Sequence, residues 1–153
     1  MAVFDIDGVV ADVRHRLHFL DPPKSWHRFF AAATDDGLLA EGARLVADLA
    51  AEHEIVWLTG RPEWLRTTTG DWLARHHLPG TELHLRPQGD YRPARRYKGE
   101  ILLRLSPRGI AAFVDDDEEV IDMALRAGLP AIQADWLPRN PTLHEAQERL
   151  GRT

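Results

Sequence analysis

The chain has 153 residues, 44% of them apolar and 28% charged, no cysteine, and a formal net charge of −5. Such a chain suits one compact soluble domain. It excludes a disulfide framework and a thiolate metal site, and its acidic balance disfavours a broad, non-specific grip on nucleic acid while leaving room for a local basic groove.

Residues 1–4 form a short apolar run, predicted as a buried strand, and residues 5–12 a glycine-containing turn. Residues 14–20 and 25–33 read as helical, broken apart by Pro22-Pro23. Ser25 is a natural N-cap there, and Trp26, Phe29 and Phe30 share one face. Residues 41–52 place Ala43, Leu45, Val46, Leu49 and Ala50 at helical spacing. A strand over 55–58 follows, then a helix begun by Pro62 and running to about His77. Residues 82–86 alternate as a short strand, and 97–105 form a helix that stops near Pro107. A strand over 110–114, a helix over 118–127 ended by Gly128 and a strand over 130–133 complete the pattern.

Strands alternating with helices imply an α/β fold, a parallel sheet covered on both faces, in a single domain over 1–153. Residues 13–40 depart most from strict alternation and read as a small helical insertion. No run of about 18 apolar residues is present to span a membrane. Asp5 and Asp7 fall where a secretory signal needs a basic start and an apolar block, so a cytoplasmic protein is expected.

Ligands of open parallel sheets sit outside the carboxyl ends of the strands, so the polar residues after each strand matter most. Asp5 and Asp7 follow the first strand, Thr59-Gly60-Arg61 the second, and Asp115-Asp116-Asp117 a later one, while Lys98 begins a preceding helix. Asp5 is placed to attack a phosphoryl group and form an aspartyl-phosphate. Asp7, two residues on, can protonate the leaving oxygen and later deprotonate water. An unperturbed Asp titrates near about 3.9, and the neighbouring carboxylate is expected to push Asp7 upward. Gly8 lets backbone amides approach the phosphoryl group. Two carboxylates facing a dianion require a cation, and hard oxygen ligands suit magnesium. Asp5, Asp7, Asp115 and Asp116 are the candidate ligands, with a backbone carbonyl. Thr59 offers a hydroxyl and Lys98 a point charge.

Each signal has a plainer reading. Asp-x-Asp-Gly also occurs in calcium loops, but those need a preceding helix and a Glu at the twelfth position, where this chain has Arg16. Residues 115–119 alone would read as a solvated helix start, and Lys98 alone as a surface lysine. The joint occurrence in order favours one site. Arg86, Arg92, Arg95, Arg96, Lys98, Arg104 and Arg108 could line a nucleic-acid groove or form a solvated face above inward-packing Leu102, Leu103 and Leu105. Trp57, Trp64, Trp72 and Trp136 read as packing, and the histidines show no metal-ligand pattern.

Phe4-Asp5-Ile6-Asp7-Gly8-Val9, Leu58-Thr59-Gly60-Arg61, Lys98 and Val114-Asp115-Asp116 resemble, in order, the motifs of the haloacid dehalogenase superfamily of phosphohydrolases. That resemblance implies a three-layer Rossmann-like fold, Asp5 as nucleophile, Asp7 as acid and base, and Mg²⁺. A narrower resemblance rests on Arg14-His15-Arg16-Leu17-His18, Lys24-Ser25-Trp26, the Thr59-Gly60-Arg61 turn and the run from Leu85-Arg86-Pro87 to Asp90-Tyr91-Arg92-Pro93. These are similar to the 3′-phosphatase domain of phage polynucleotide kinase/phosphatases and their bacterial relatives. It implies active-site roles for Arg16, Arg61 and Asp90, the guanidiniums gripping phosphate and Asp90 orienting one of these cations. Gly8, Arg16, Gly60, Arg61, Asp90 and Arg92 are thus the candidate phosphate- and substrate-binding positions. The chain departs from the relatives at Asp117, where they often have Arg, and at Ala94-Arg95-Arg96, where they tend to have acids. No Gly-x-x-x-x-Gly-Lys-[Ser/Thr] loop occurs, so the chain carries no visible kinase half, and a kinase or ligase in trans is a candidate partner.

The expected function is removal of 3′-phosphates from DNA or RNA ends. A nucleotidase or other small-molecule phosphatase is the alternative, and a non-catalytic binding module a further one.

Overall fold

The computed structural model describes residues 1–138 and 140–152, and the short apolar runs of the sequence become its strands. In chain order these are β1 (Ala2–Phe4), β2 (Ala11–Asp12), β3 (Gly37–Leu38), β4 (Ile55–Pro62), β5 (Glu82–Arg86), β6 (Ala112–Asp115) and β7 (Ala131–Gln133). The helices are α1 (Trp26–Ala31), α2 (Ala40–Ala50), α3 (Arg66–Arg75), α4 (Ala94–Leu105), α5 (Glu118–Arg126) and α6 (Pro141–His144). Short 3-10 segments at Arg14–Leu20, Ala32–Asp35, Glu63–Leu65 and Ser106–Arg108 join them.

Five strands form one parallel sheet in the order β5-β4-β1-β6-β7. β1 lies at its centre, with Val3 opposite Val56 on one side and Phe113 on the other. Side chains alternate across a strand, and that alternation sorts the core into two layers. Ala2, Phe4, Ile55, Trp57, Ala112 and Val114 face Val46 of α2 and Trp72 and Leu73 of α3. Val3, Val56, Leu58 and Phe113 face Tyr97, Ile101 and Leu102 of α4 and Val120, Ile121 and Ala124 of α5. The result is helix, sheet, helix, the three-layer α/β architecture implied by the pattern.

Segment 13–40 carries α1, two of the 3-10 turns and β3, and β3 pairs antiparallel with β2. Its apolar residues Val13, Leu20, Phe29 and Phe30 form a separate cluster with Leu65, Leu85, Leu143 and Ala146. The C-terminal helix α6 is thereby tied to the insertion.

Residues 14–20 are helical, as a 3-10 helix, and Ser25 holds the N-cap position of α1, without a capping bond from its hydroxyl. Pro62 sits at the start of the 3-10 turn Glu63–Leu65 that leads into α3, and is also the last residue of β4, paired with Arg86. Other local expectations are corrected. Strand β4 runs past Leu58 through a register shift, the kind of irregularity that bends a strand and re-aims side chains. Helix α4 starts at Ala94 rather than residue 97, directly after Pro93. Leu103 is 73% exposed, because it points away from the face shared by Ile101, Leu102 and Leu105. Trp64, read as packing, is 55% exposed. No described helix is long and apolar enough to cross a membrane.

Candidate active site

The carboxyl ends of the three central strands converge. Asp5 directly follows β1, and its backbone N–H donates to the Val114 carbonyl at 2.9 Å. Asp115 ends β6. Lys98, buried on the inner face of α4, reaches both: its Nζ stands 2.8 Å from Asp5 Oδ2 and 2.7 Å from Asp115 Oδ2. Asp116 completes a group with Asp5 and Asp115 in which ligand oxygens all lie within 4.8 Å of one another. Oδ1 of Asp5 and Oδ1 of Asp116 are buried with no hydrogen-bond partner among the described residues. Orphaned buried oxygens carry a desolvation penalty, and a divalent cation would remove it. The set of hard anionic oxygens fits Mg²⁺.

The electrostatics point the same way. Burial, helped by the charges of Asp115 and Asp7 and opposed by Lys98, raises Asp5 to about 7. Burial and the neighbouring Asp115 and Asp5 push Asp116 well above the ordinary carboxylate range. Three carboxyls strained toward protonation are the ground state that a cation relieves.

Asp7 stands in a different environment. The chain does not stay extended after Asp5: the Ile6 carbonyl accepts from the N–H groups of Val9, Val10 and Ala11, closing a tight turn. Asp7 Oδ1 accepts from Arg16 Nη2 at 2.9 Å and from Arg61 Nε and Nη2 at 2.9 and 2.6 Å. Burial works to raise its pKa, but the two guanidiniums overcome it and hold Asp7 down to about 2. Two expectations are corrected here. The Asp7 carboxylate lies outside the metal-ligand group, since its charge is already matched by arginine. The net push on its pKa is downward, because both guanidiniums contact it directly.

The arginines are themselves fixed by Asp36, a residue the sequence reading does not single out. Asp36 accepts from Arg16 Nε at 2.7 Å and Nη2 at 2.8 Å, from Arg61 Nη2 at 2.7 Å, and pairs with His15 Nε2 at 2.8 Å. Arg16 also stacks over the Phe29 ring at 4.2 Å. Nη1 of each arginine and Oδ2 of Asp7 are buried without a partner among the described residues. They supply donors for an anion beside a carboxylate oxygen that can exchange a proton. Asp35-Asp36-Gly37 reads locally as an ordinary turn, so only the fold reveals this role.

Thr59 and Gly60 are buried within β4 at its register shift, and the Thr59 hydroxyl accepts from the Arg61 N–H at 3.2 Å. A Cβ at Gly8 would stand 2.2 Å from Asp116 Oδ2, and φ there is +77°, so only glycine fits this turn. A cavity of about 220 Å³ opens over Gly8 and Asp116, walled by Arg14, Gln133, Asn140 and His144.

Asp90 and Arg92 sit apart from this network. Asp90 bonds Arg92 through Nη2 at 2.7 Å and lies 3.7 Å from Arg86, so it orients neither Arg16 nor Arg61. Arg92 also pairs with Glu100, Arg95 with Glu119 and Glu148, Arg104 with Glu100, and Arg108 with Glu82. These pairings make the basic stretch chiefly an ion-paired outer face.

A family model described as the polynucleotide kinase PNKP phosphatase domain matches residues 1–136. Among solved structures, the chain is similar to a Pnkp1/Rnl/Hen1 complex at 25% identity and a TM-score of 0.73, covering 87% of this chain and 44% of that one. A second Pnkp1/Rnl/Hen1 RNA repair complex matches at 23% identity and 0.70, covering 86% and 41%. The chain thus spans less than half the length of the chains it matches there. A haloacid dehalogenase-like hydrolase from Streptococcus pneumoniae matches in fold at 12% identity and 0.61, over 86% of this chain and 82% of that one. No match was found among curated proteins.

Proposed function

The chain belongs to the polynucleotide kinase PNKP phosphatase-domain family and is a phosphatase of the haloacid dehalogenase type; from that premise we propose that it removes 3′-phosphates from nucleic-acid ends through a covalent intermediate on Asp5.

The observation that carries this reading is the division of the site into two charge environments. Asp5, Asp115 and Asp116 gather around Lys98, while Asp7 is gripped by Arg16 and Arg61. The first group would hold Mg²⁺, which would supply positive charge to offset the carboxylates and an approaching phosphate. An Asp5 oxygen attacks phosphorus as the bond to the leaving 3′ oxygen breaks, and that oxygen takes a proton from Asp7. Water then gives a proton to the Asp7 carboxylate and attacks the same phosphorus, which frees phosphate and regenerates Asp5. Lys98 stabilises the charge on Asp5 and on the transferring group, and Thr59, Gly8 and Gly60 bring polar groups to the phosphoryl oxygens.

Asp7 must hold a proton for the first step, although Arg16 and Arg61 favour its ionised form. A bound phosphate dianion engages the same guanidiniums and adds negative charge nearby. Both effects raise the Asp7 pKa once substrate is present.

Arg16 and Arg61 each leave Nη1 without a partner among the described residues, two charged donors suited to a terminal phosphate. The likeness to Pnkp1, which stands in an RNA repair complex with Rnl and Hen1, supports a polynucleotide end as substrate and a kinase or ligase partner in trans. Segment 13–40 serves as a short cap that leaves the cleft open to a polymer end. The test is Mg²⁺-dependent phosphate release from a 3′-phosphorylated oligonucleotide, a 5′-phosphorylated one and free nucleoside monophosphates. Preference for the first is expected. Turnover of mononucleotides alone would overturn the end-repair reading, and full turnover by Asp5→Asn would overturn the mechanism.

A further inference from the structure

A second groove, of about 280 Å³, runs beside the catalytic cleft, with Trp26, His27, Trp64, Tyr91 and Arg152 on its walls. Pro62 and Arg86 line it as well. Pro62 directly follows Arg61 in the chain and pairs with Arg86 across β4 and β5, and Arg86 lies close enough to Asp5 to feel its charge. The groove therefore begins where the phosphate-binding arginines end.

Its walls carry flat rings held in place at the surface. Trp64 is 55% and Tyr91 57% exposed, in a chain whose other aromatic residues are largely covered. The His27 ring lies parallel to Trp64, centroids 6.1 Å apart and planes within 11°. Phe30 braces Trp64 edge-on at 6.1 Å and 88°. Arg152 sets its guanidinium 4.4 Å over the Tyr91 ring and 5.6 Å from Trp26. Arg152 lies beyond residue 136, outside the segment that the family model matches, so this wall is supplied by this chain's own continuation.

We propose that this groove is a stacking site for unpaired nucleobases, one or two nucleotides 5′ of the terminal phosphate, so that the protein acts on single-stranded 3′ ends. The proposal rests on the 3′-phosphatase reading and deepens it. Aromatic faces and arginine planes bind any base through its π-face, and the Arg152 cation complements a strand's phosphates. In a paired end the bases upstream of the terminal pair are already stacked on both faces and have none to offer the rings. An acidic peptide would meet the same cation but supplies no row of flat rings to match the exposed ones.

The experiment compares kcat/KM for a 3′-phosphorylated single-stranded tetranucleotide with that for an analogue of equal charge carrying abasic residues upstream of the terminal nucleotide. The wild-type protein is expected to favour the base-bearing strand by roughly tenfold, with the preference lost in Trp64→Ala and retained in Trp64→Phe. Equal kcat/KM for the two strands in the wild type, or an undiminished preference in both Trp64→Ala and Tyr91→Ala, overturns the proposal. A parallel binding measurement needs no turnover: quenching of tryptophan fluorescence by an unphosphorylated base-bearing strand. Quenching that the abasic strand fails to produce, and that weakens in Trp64→Phe, supports stacking, and its absence overturns it. If the 3′-phosphatase reading itself fails, neither strand is hydrolysed, and the quenching still decides whether bases stack here.

Discussion

Arg16 and Asp36 meet fork to fork, Nε to Oδ1 at 2.7 Å and Nη2 to Oδ2 at 2.8 Å, both side chains fully buried. The same Asp36 also receives Arg61, so one carboxylate sets the aim of both guanidiniums that hold Asp7. Removing one partner of a buried pair leaves the other charge uncompensated, at about 3–5 kcal/mol. Asp36→Ala is expected to lower unfolding stability by that order in urea titration. Asp36→Asn, close in shape, is expected to fold but to lose phosphatase turnover by about 100-fold or more through misaimed arginines.

Gly8→Ala tests the close approach to Asp116. The new methyl meets Asp116 Oδ2 and must also adopt a positive φ, a backbone strain of about 1–2 kcal/mol. Gly128 also has a positive φ but nothing within 4 Å of its Cβ position. Gly128→Ala should show the strain alone, a similar loss in urea titration with Mg²⁺-dependent turnover unchanged. Gly8→Ala should lose both.

Metal binding is predicted to be readable without turnover. A cation that binds only the folded protein stabilises it by about 2.7 kcal/mol at a hundredfold excess over its Kd. Mg²⁺ should therefore raise the thermal midpoint of the wild-type protein, a chelator should reverse the shift and abolish turnover, and Asp116→Ala should show neither response. A midpoint indifferent to Mg²⁺ in the wild type would remove the metal from the scheme.

Glu82 gives a pH prediction away from the site. The hydrogen bond from Arg108, opposed by partial burial and aided by His84, lowers its pKa from 4.5 to about 2. A depressed carboxylate pKa contributes stability above its unfolded value and loses it as pH falls through the folded one. The protein should lose this contribution between about pH 4.5 and about pH 2. The acid limb of a stability profile should be shallower in Glu82→Gln.

What the sequence makes legible is what is local. Asp5, Thr59 and Asp115 each sit at the end of a short apolar run, so these polar residues can be read from pattern alone, although β4 itself runs on to Pro62. Asp36 cannot, since its partners Arg16 and Arg61 lie 20 and 25 residues away and meet it only through the fold. The direction of the Asp7 pKa is hidden for the same reason. Trp64 and Leu103 carry no local sign of which way they face. Helix α6 does carry a local sign: Asn140 caps it by accepting from the N–H groups of Thr142 and Leu143, with Pro141 in the first turn.

The central place of β1 in the sheet also governs when the site can assemble. β1 finds its two neighbours at Ile55 and at Ala112, so the strand cannot be enclosed before both have been made. Ala2 waits for partners 53 and 110 residues further along the chain. Pairings of such long sequence separation form slowly. The carboxylate cluster is therefore assembled only when β6 slots beside β1 and brings Asp115 to Asp5. A chain cut short before residue 112 holds Asp5 and Lys98 but lacks both of the other carboxylates.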